Sequence, residues 1–230
     1  MPIDLLPETL VILETRSLIA ELLSVVFSTA DVFSDIYVAD RWPDPVFPAK
    51  FDGPTVFLIV ARSYLRTRQT IQLVQAAQPE ATIVILDEHF RYGVGLLLRD
   101  TTVHGYWTFH DMPEDISRGI VRACRRCPSI SPHLIGHLRH SRRKGVQIDH
   151  QIGRQVSPKM LEHPFYKLSK RERQLFYLIA EGKKIEECAA EMGIARKTVS
   201  NLREKLMKKF NVPSGTDLVW KAIEIGLVEL

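Results

Sequence analysis

Lys197, Ser200, Asn201, Glu204 and Lys208 recur at steps of three and four beyond Ala195, so on a helix they form one stripe. Side chains of these types suit hydrogen bonding to nucleic acid. An Asn amide pairs bidentately with adenine, a Glu accepts from the cytosine amino group, and a Lys neutralises phosphate. Thr198 borders the stripe, and Arg196, Arg203, Lys205 and Lys209 add positive charge at its flanks, which supplies affinity without sequence information. The candidate DNA-contacting set is therefore Arg196, Lys197, Thr198, Ser200, Asn201, Glu204, Lys205 and Lys208. A basic stripe can also be no more than a solvated face. The residues around it separate the two readings.

Val199, Leu202, Leu206 and Phe210 repeat with the same helical period, which turns the opposite face of this segment toward a core. Upstream, Ser169 followed three residues later by Glu172 is a capping box, and Leu175, Leu178 and Ile179 continue a helix to about Gly182. A second short helix carries Cys188, Ala189 and Met192 on one face, and Gly193 permits the tight turn into the third helix. Two helices joined by a glycine turn, the second bearing the polar stripe, are a helix-turn-helix whose outer face fits a major groove.

Over residues 168–230 the chain resembles the C-terminal domain of the LuxR/NarL class of bacterial transcription regulators. The resemblance rests on Leu168-Ser169 with Arg171-Glu172-Arg173, on Gly182, Ala189, Ile194, Thr198-Val199 and Val212, and on Ala222 with Gly226-Leu227. It implies four helices, the third reading DNA and the fourth, here about Thr216 to Ile225, assisting dimerisation. The chain also departs from that pattern. Ala195 stands where the family usually has a Ser or Thr N-cap, at a cost of about 1 kcal/mol. Ser200 and Glu204 occupy positions that are often basic, and Gly215 stands where an Arg is frequent before the fourth helix. Sequence preference therefore does not transfer from relatives.

A chain of 230 residues is long enough for two cores. The net charge of +4 hides an uneven distribution: residues 1–121 hold 9 basic and 16 acidic residues, residues 122–165 hold 9 and 2, and residues 166–230 hold 13 and 9. The acidic half is not the half with the basic stripe. In that half Thr9 to Leu13, Thr55 to Ala61 and Ala81 to Leu86 are continuous apolar runs, suited to parallel strands buried on both faces. Weaker strands fall near Val32 to Val38 and Gly105 to Phe109. Helical patterns run from Ser17 to Phe27, Tyr64 to Ala77, Gly93 to Leu98 and Pro113 to Arg125. Five strands alternating with helices predict a doubly wound α/β domain. Four prolines between Asp40 and Pro54 leave its second helix short or absent.

The alternation, the Gly105-Tyr106 pair before the last strand and Ser131-Pro132 after the last helix make this half resemble a response-regulator receiver. The resemblance implies carboxylates after the first strand, an Asp acceptor after the third, a Ser or Thr after the fourth and a Lys after the fifth. Those positions read here as Glu14-Thr15, Val60, Asp87 and Phe109, or His110 on a one-residue slip. Phosphoryl transfer to a carboxylate needs a nucleophile, a metal and a cation to neutralise developing charge. Val60 provides no nucleophile and Phe109 no cation, so the pocket Glu14, Thr15, Val60, Asp87 and Phe109 is degenerate. Glu14 and Asp87 read as solvated loop carboxylates, with weak cation binding as the alternative. The paired-receiver surface implied by the resemblance would use Leu96, Leu97, Tyr106 and Trp107.

Cys124 and Cys127 with His133 and His137 have zinc-type ligands, but the pairs stand too close for a finger and Cys124 belongs to a predicted helix. No metal and no cofactor are expected. Arg142-Arg143-Lys144 lies in a polar stretch that reads as a linker. No apolar run reaches 18 residues and no basic segment leads into one at the N-terminus, which predicts a cytoplasmic protein without a membrane span.

The sequence thus predicts a doubly wound α/β receiver-like (CheY-like) domain over residues 1–130, a basic linker over 131–165, and an all-α LuxR-type helix-turn-helix over 166–230. The predicted function is a non-enzymatic, sequence-specific, DNA-binding transcription regulator independent of receiver phosphorylation. Its expected partners are double-stranded DNA and a second copy of the chain, with RNA polymerase a further candidate. Two alternatives stay open: a protein-interaction module with weakened DNA binding, and a sigma-factor-like promoter-binding module. The α/β half and the AIEIGLVEL tail argue against the second.

Overall fold

The computed structural model describes residues 8–229 except 14–16, 30–31, 45–46, 49–50, 52, 96, 128 and 133–162. The N-terminal half runs β1 (Thr9–Leu13), α1 (Ser17–Thr29), β2 (Asp35–Ala39), β3 (Thr55–Val60), α2 (Tyr64–Ala77), β4 (Thr82–Asp87), α3 (Tyr92–Gly95), α4 (Leu97–Asp100), β5 (Gly105–Thr108), α5 (Pro113–Cys124) and β6 (Ser129–Ile130). All strand pairs are parallel, in the order β2-β1-β3-β4-β5-β6.

The apolar runs become the central strands for a simple reason. Alternate side chains of a strand enter opposite faces, and both faces here are covered. Leu10, Ile12, Val56, Leu58 and Leu86 meet Leu23 and Phe27 of α1 and Ile116 and Ile120 of α5. Val11, Leu13, Phe57, Ile59 and Ile85 face Ile71 and Val74 of α2 and Val94 and Leu97 beyond β4. The sheet has six strands rather than the predicted five. The sixth is a two-residue edge strand, too short to carry a periodic signal, and it is held by the indole of Trp107, which donates to Ser129 Oγ at 2.9 Å. Ser129 Oγ donates in turn to the Gly119 carbonyl at 2.6 Å.

The predicted helix between Gly93 and Leu98 is two single turns, α3 and α4. Among the described residues of the proline-rich stretch there is no helix, and Trp42, Phe47 and Phe51 pack over Phe57 there instead.

The C-terminal half follows with a 3-10 turn (Pro164–Lys167) and four helices: α6 (Lys170–Ala180), α7 (Ile185–Met192), α8 (Arg196–Phe210) and α9 (Gly215–Glu224). The four-helix expectation holds. The apolar cluster on the α2 side of the sheet continues without a break into Phe165, Leu175, Phe176 and Leu227 of this half. Tyr64 and Tyr177 stack across the junction, ring centroids 5.5 Å apart at 19°.

Candidate nucleic-acid interface

The stripe is positioned from the first helix onward. Ser169 Oγ accepts from the Glu172 N–H at 3.3 Å while Glu172 Oε2 accepts from the Ser169 N–H at 2.8 Å, so the predicted capping box is present. Glu172 also accepts from Lys209 Nζ at 2.8 Å, which ties the start of α6 to the last turn of α8. Phe176 and Phe210 stack below that pair, with centroids 4.7 Å apart. Gly193 ends α7 at φ +62, the left-handed turn that redirects the chain into α8. Ala195 takes the N-cap place of α8 with no side-chain hydrogen bond, as its residue type dictates.

Val199, Leu206 and Phe210 are buried, and Leu202 packs against them. The opposite face carries Lys197, Thr198, Asn201, Glu204, Lys205 and Lys208, all exposed, with Ser200 half-buried beside them. The α/β half packs elsewhere and leaves this face open. Glu204 and Lys208 border a shallow groove with Met207, Asn211, Val212 and Pro213.

Three of the flanking cations have intramolecular engagements that sequence spacing could not show. Arg196 is ion-paired with Glu186 of α7, Lys209 is held by Glu172, and the Arg203 guanidinium lies directly over Gly215. A Cβ at Gly215 would overlap that guanidinium, the far end of a flexible side chain, which would have to swing aside. The Arg196 pair is exposed on both sides and is therefore weak, open to exchange for a phosphate. Lys197, Lys205 and Lys208 are further exposed cations of α8.

Of the residues expected to form a degenerate pocket, one departs from expectation. Val60 ends β3 and is buried, and Phe109 follows β5 with 38% of its surface exposed. Glu14 and Thr15 lie outside the described residues. Asp87, however, is not a solvated loop carboxylate. It is 0% exposed at the end of β4, accepts from Arg91 Nη2 at 2.5 Å and from the Tyr106 hydroxyl at 2.5 Å, and forms a buried ion pair with Arg91. Burial pushes its carboxyl above the ordinary carboxylate range, and the Arg91 and Tyr106 donors pull it partly back. Burial and the neighbouring Asp87 carboxylate likewise push the Tyr106 hydroxyl well up. An unpaired carboxylate at this depth would be costly, so a donor had to reach it. The spacing of Asp87 and Arg91 at i, i+4 was visible in the chain, but loop residues at that spacing need not meet.

One other sequence reading is corrected. Leu97, Tyr106 and Trp107 are buried in the core and cannot form an exposed pairing surface: Leu97 and Tyr106 pack in the cluster on the α2 side of the sheet, and Trp107 packs with Ile116 and Ile120 of α5; Leu96 lies outside the described residues. Cys124 closes α5 with its thiol half-buried, and Cys127 is an exposed free cysteine. His133, His137 and Arg142-Arg143-Lys144 lie outside the described residues. Among those described, no three His, Cys, Asp or Glu side chains cluster as metal ligands. Among them, too, no helix is long and apolar enough to cross a membrane.

A parallel receiver-like sheet is thus followed by a four-helix domain with an outward polar stripe. Residues 166–222 match the pattern of bacterial regulatory proteins of the luxR family. The chain is 36% identical over 63 residues to the spore germination protein GerE of Bacillus subtilis, covering 27% of this chain and 85% of that protein. It is 34% identical over 73 residues to the response regulator UvrY of Escherichia coli, covering 32% of this chain and 34% of UvrY, so the match spans about a third of that relative. The chain belongs to the luxR family of bacterial regulatory proteins. In fold it is similar to RcsB from Salmonella enterica serovar Typhimurium bound to promoter rprA. That likeness has TM-score 0.54 and 15% identity, over 93% of this chain and 96% of the other. A second RcsB structure, of two dimers on two parallel DNAs, gives TM-score 0.53 at 14% identity over 95% and 99%.

Proposed function

We propose that this protein is a sequence-specific, DNA-binding transcription regulator that works as a homodimer and independently of receiver phosphorylation. The observation that carries the reading is the exposed face of α8, with Lys197, Asn201, Glu204 and Lys208 presented together while the α/β half packs elsewhere. Family membership and the DNA-bound RcsB structures support it. A salt-dependent gel shift on genomic fragments tests it. Retarded bands that survive competitor DNA and weaken with salt are expected; their absence at low salt favours the protein-interaction alternative.

Independence from phosphorylation is supported by Val60, which cannot form an acylphosphate, and by the occupation of Asp87 by Arg91 and Tyr106. Incubation with a small-molecule phosphoryl donor and Mg²⁺ should leave the intact mass unchanged. A stable adduct on residues 1–130 would overturn this part of the reading.

The surface for pairing with a second copy is assigned to α1. Leu18, Leu22 and Val25 are exposed at successive helical steps beside a groove between α1 and α5 lined by Val26, Glu114, Arg118 and Arg122. The first turn of α5 is acidic, with Glu114 and Asp115, and its last turn is basic, with Arg122. A two-fold axis that sets α5 antiparallel to its copy brings opposite charges together around the apolar stripe.

A further inference from the structure

In open α/β sheets the crevice outside the carboxyl ends of the strands is the ordinary place for a ligand. Here the crevice beyond β3 and β4 is filled by the chain's own C-terminal turn, Ile225 to Leu227. The Tyr64 N–H donates to the Gly226 carbonyl at 2.8 Å, the Leu65 N–H to the Leu227 carbonyl at 3.4 Å, and the Gly93 N–H to the Ile225 carbonyl at 2.6 Å. Tyr64 and Leu65 open α2, and the first N–H groups of a helix have no partner within it. The C-terminal turn therefore acts as their cap from another domain.

The fit is specific on both sides. Gly226 has φ +72, and a Cβ there would lie 2.9 Å from Arg91 Cδ and 3.0 Å from Arg91 Cβ. A Cβ on Gly93 would lie 2.6 Å from the Ile225 oxygen and 3.1 Å from the Gly226 carbonyl carbon. Arg91 is itself fixed: its guanidinium donates to Asp87, to the Arg62 carbonyl at 2.5 Å and to the Ala61 carbonyl at 3.0 Å. Its stem is the floor on which Gly226 rests. Two glycines leave room for the turn, and a buried ion pair fixes the surface beneath it.

We propose that this crevice is a binding site for a peptide turn, that its ligand is the chain's own Ile225-Gly226-Leu227, and that Arg91 is the positioning residue that shapes it. The site locks the helical half onto the α/β half with the polar face of α8 outward.

Amide hydrogen exchange of the full chain reads it directly. In the wild type, segments 62–66 and 225–229 should be protected. Gly93→Ala adds a methyl whose nearest contacts are the Ile225–Leu227 backbone, and it should speed exchange in both segments at least tenfold while 55–60 and 196–210 keep their rates. Arg91→Ala should act in the same direction. Unchanged exchange at 62–66 in Gly93→Ala overturns the proposal. If 55–60 also opens in that variant, Gly226→Ala, which changes no residue of the sheet, decides: loss of protection at 62–66 supports the site, and retained protection overturns it.

Discussion

Lys209 Nζ lies 2.8 Å from Glu172 Oε2, joining the last turn of α8 to the capped start of α6. Glu172 is 6% exposed and performs two tasks at once, as N3 partner of the Ser169 cap and as counter-ion to Lys209. Burial pushes its carboxyl up, but the Lys209 and Ser169 donors outweigh burial and leave it below the ordinary carboxylate range.

Glu172→Gln should therefore lower the stability of the C-terminal half by about 1–2 kcal/mol at pH 7. Because the folded carboxyl titrates below the unfolded one, its stabilisation is complete above the unfolded value of 4.5 and is lost as pH falls through the lower, folded value. Urea unfolding at pH 7 and pH 4 checks this: the gap between wild type and variant should narrow at the lower pH. An equal gap at both would assign the effect to packing.

On the proposed DNA face, Asn201→Ala should cost on the order of 1–3 kcal/mol at the preferred site and relax the choice at one base position. Lys208→Ala should weaken all sequences alike and reduce the salt slope by about one unit. Glu204→Gln separates two roles for one exposed carboxylate. If Glu204 reads cytosine, specific affinity falls while nonspecific affinity holds or rises. A parallel rise of both in binding titrations shows that it only repels the backbone.

For assembly, sedimentation of the full chain at micromolar concentration should give the dimer mass, and Leu22→Asp should give the monomer, because it buries a charge in an apolar contact. Reversing Glu114 and Asp115 to Arg should also weaken the dimer, with additional reversal of Arg118 and Arg122 to Glu restoring it. A dimer that ignores Leu22→Asp but is lost in Trp220→Ser would move the interface to α9, where Trp220 is exposed.

His104 is the residue to follow by pH. Burial and the adjacent Arg126 guanidinium lower its imidazole from 6.5 to about 4, and its Nδ1 accepts from the Ile83 N–H at 3.0 Å. The unfolded chain binds this proton first, so the contribution of His104 to stability is complete above pH 6.5 and falls as pH drops through 6.5 toward 4. Its ring resonances should stay at neutral positions down to pH 5; a titration midpoint near 6 would refute the assignment.

Much of the fold was legible because it rests on local periodicity. Thr9 to Leu13, Thr55 to Val60 and Thr82 to Asp87 are apolar at every position or nearly so, and only a strand covered on both faces uses such a run. The helix-turn-helix was legible for the same reason: the Ser169-Glu172 cap, the Gly193 turn and the Val199, Leu206, Phe210 repeat are all written within a few residues of each other. The stripe Lys197, Asn201, Glu204, Lys208 followed from the same period, since the face opposite a core faces solvent.

What the sequence by itself determined, then, is element type and the inward and outward faces, because each depends on a residue's identity and its near neighbours. Tertiary structure alone decided the partners of charges and edges. Asp87 could be solvated or buried until Arg91 and Tyr106 were seen to converge on it, Trp107 could line a surface until Ser129 added a strand over it, and Arg196, Arg203 and Lys209 could all be free until Glu186, Gly215 and Glu172 were found beside them. Those contacts join residues distant in the chain, and no local pattern encodes the distance between two loops that only the packed core brings together.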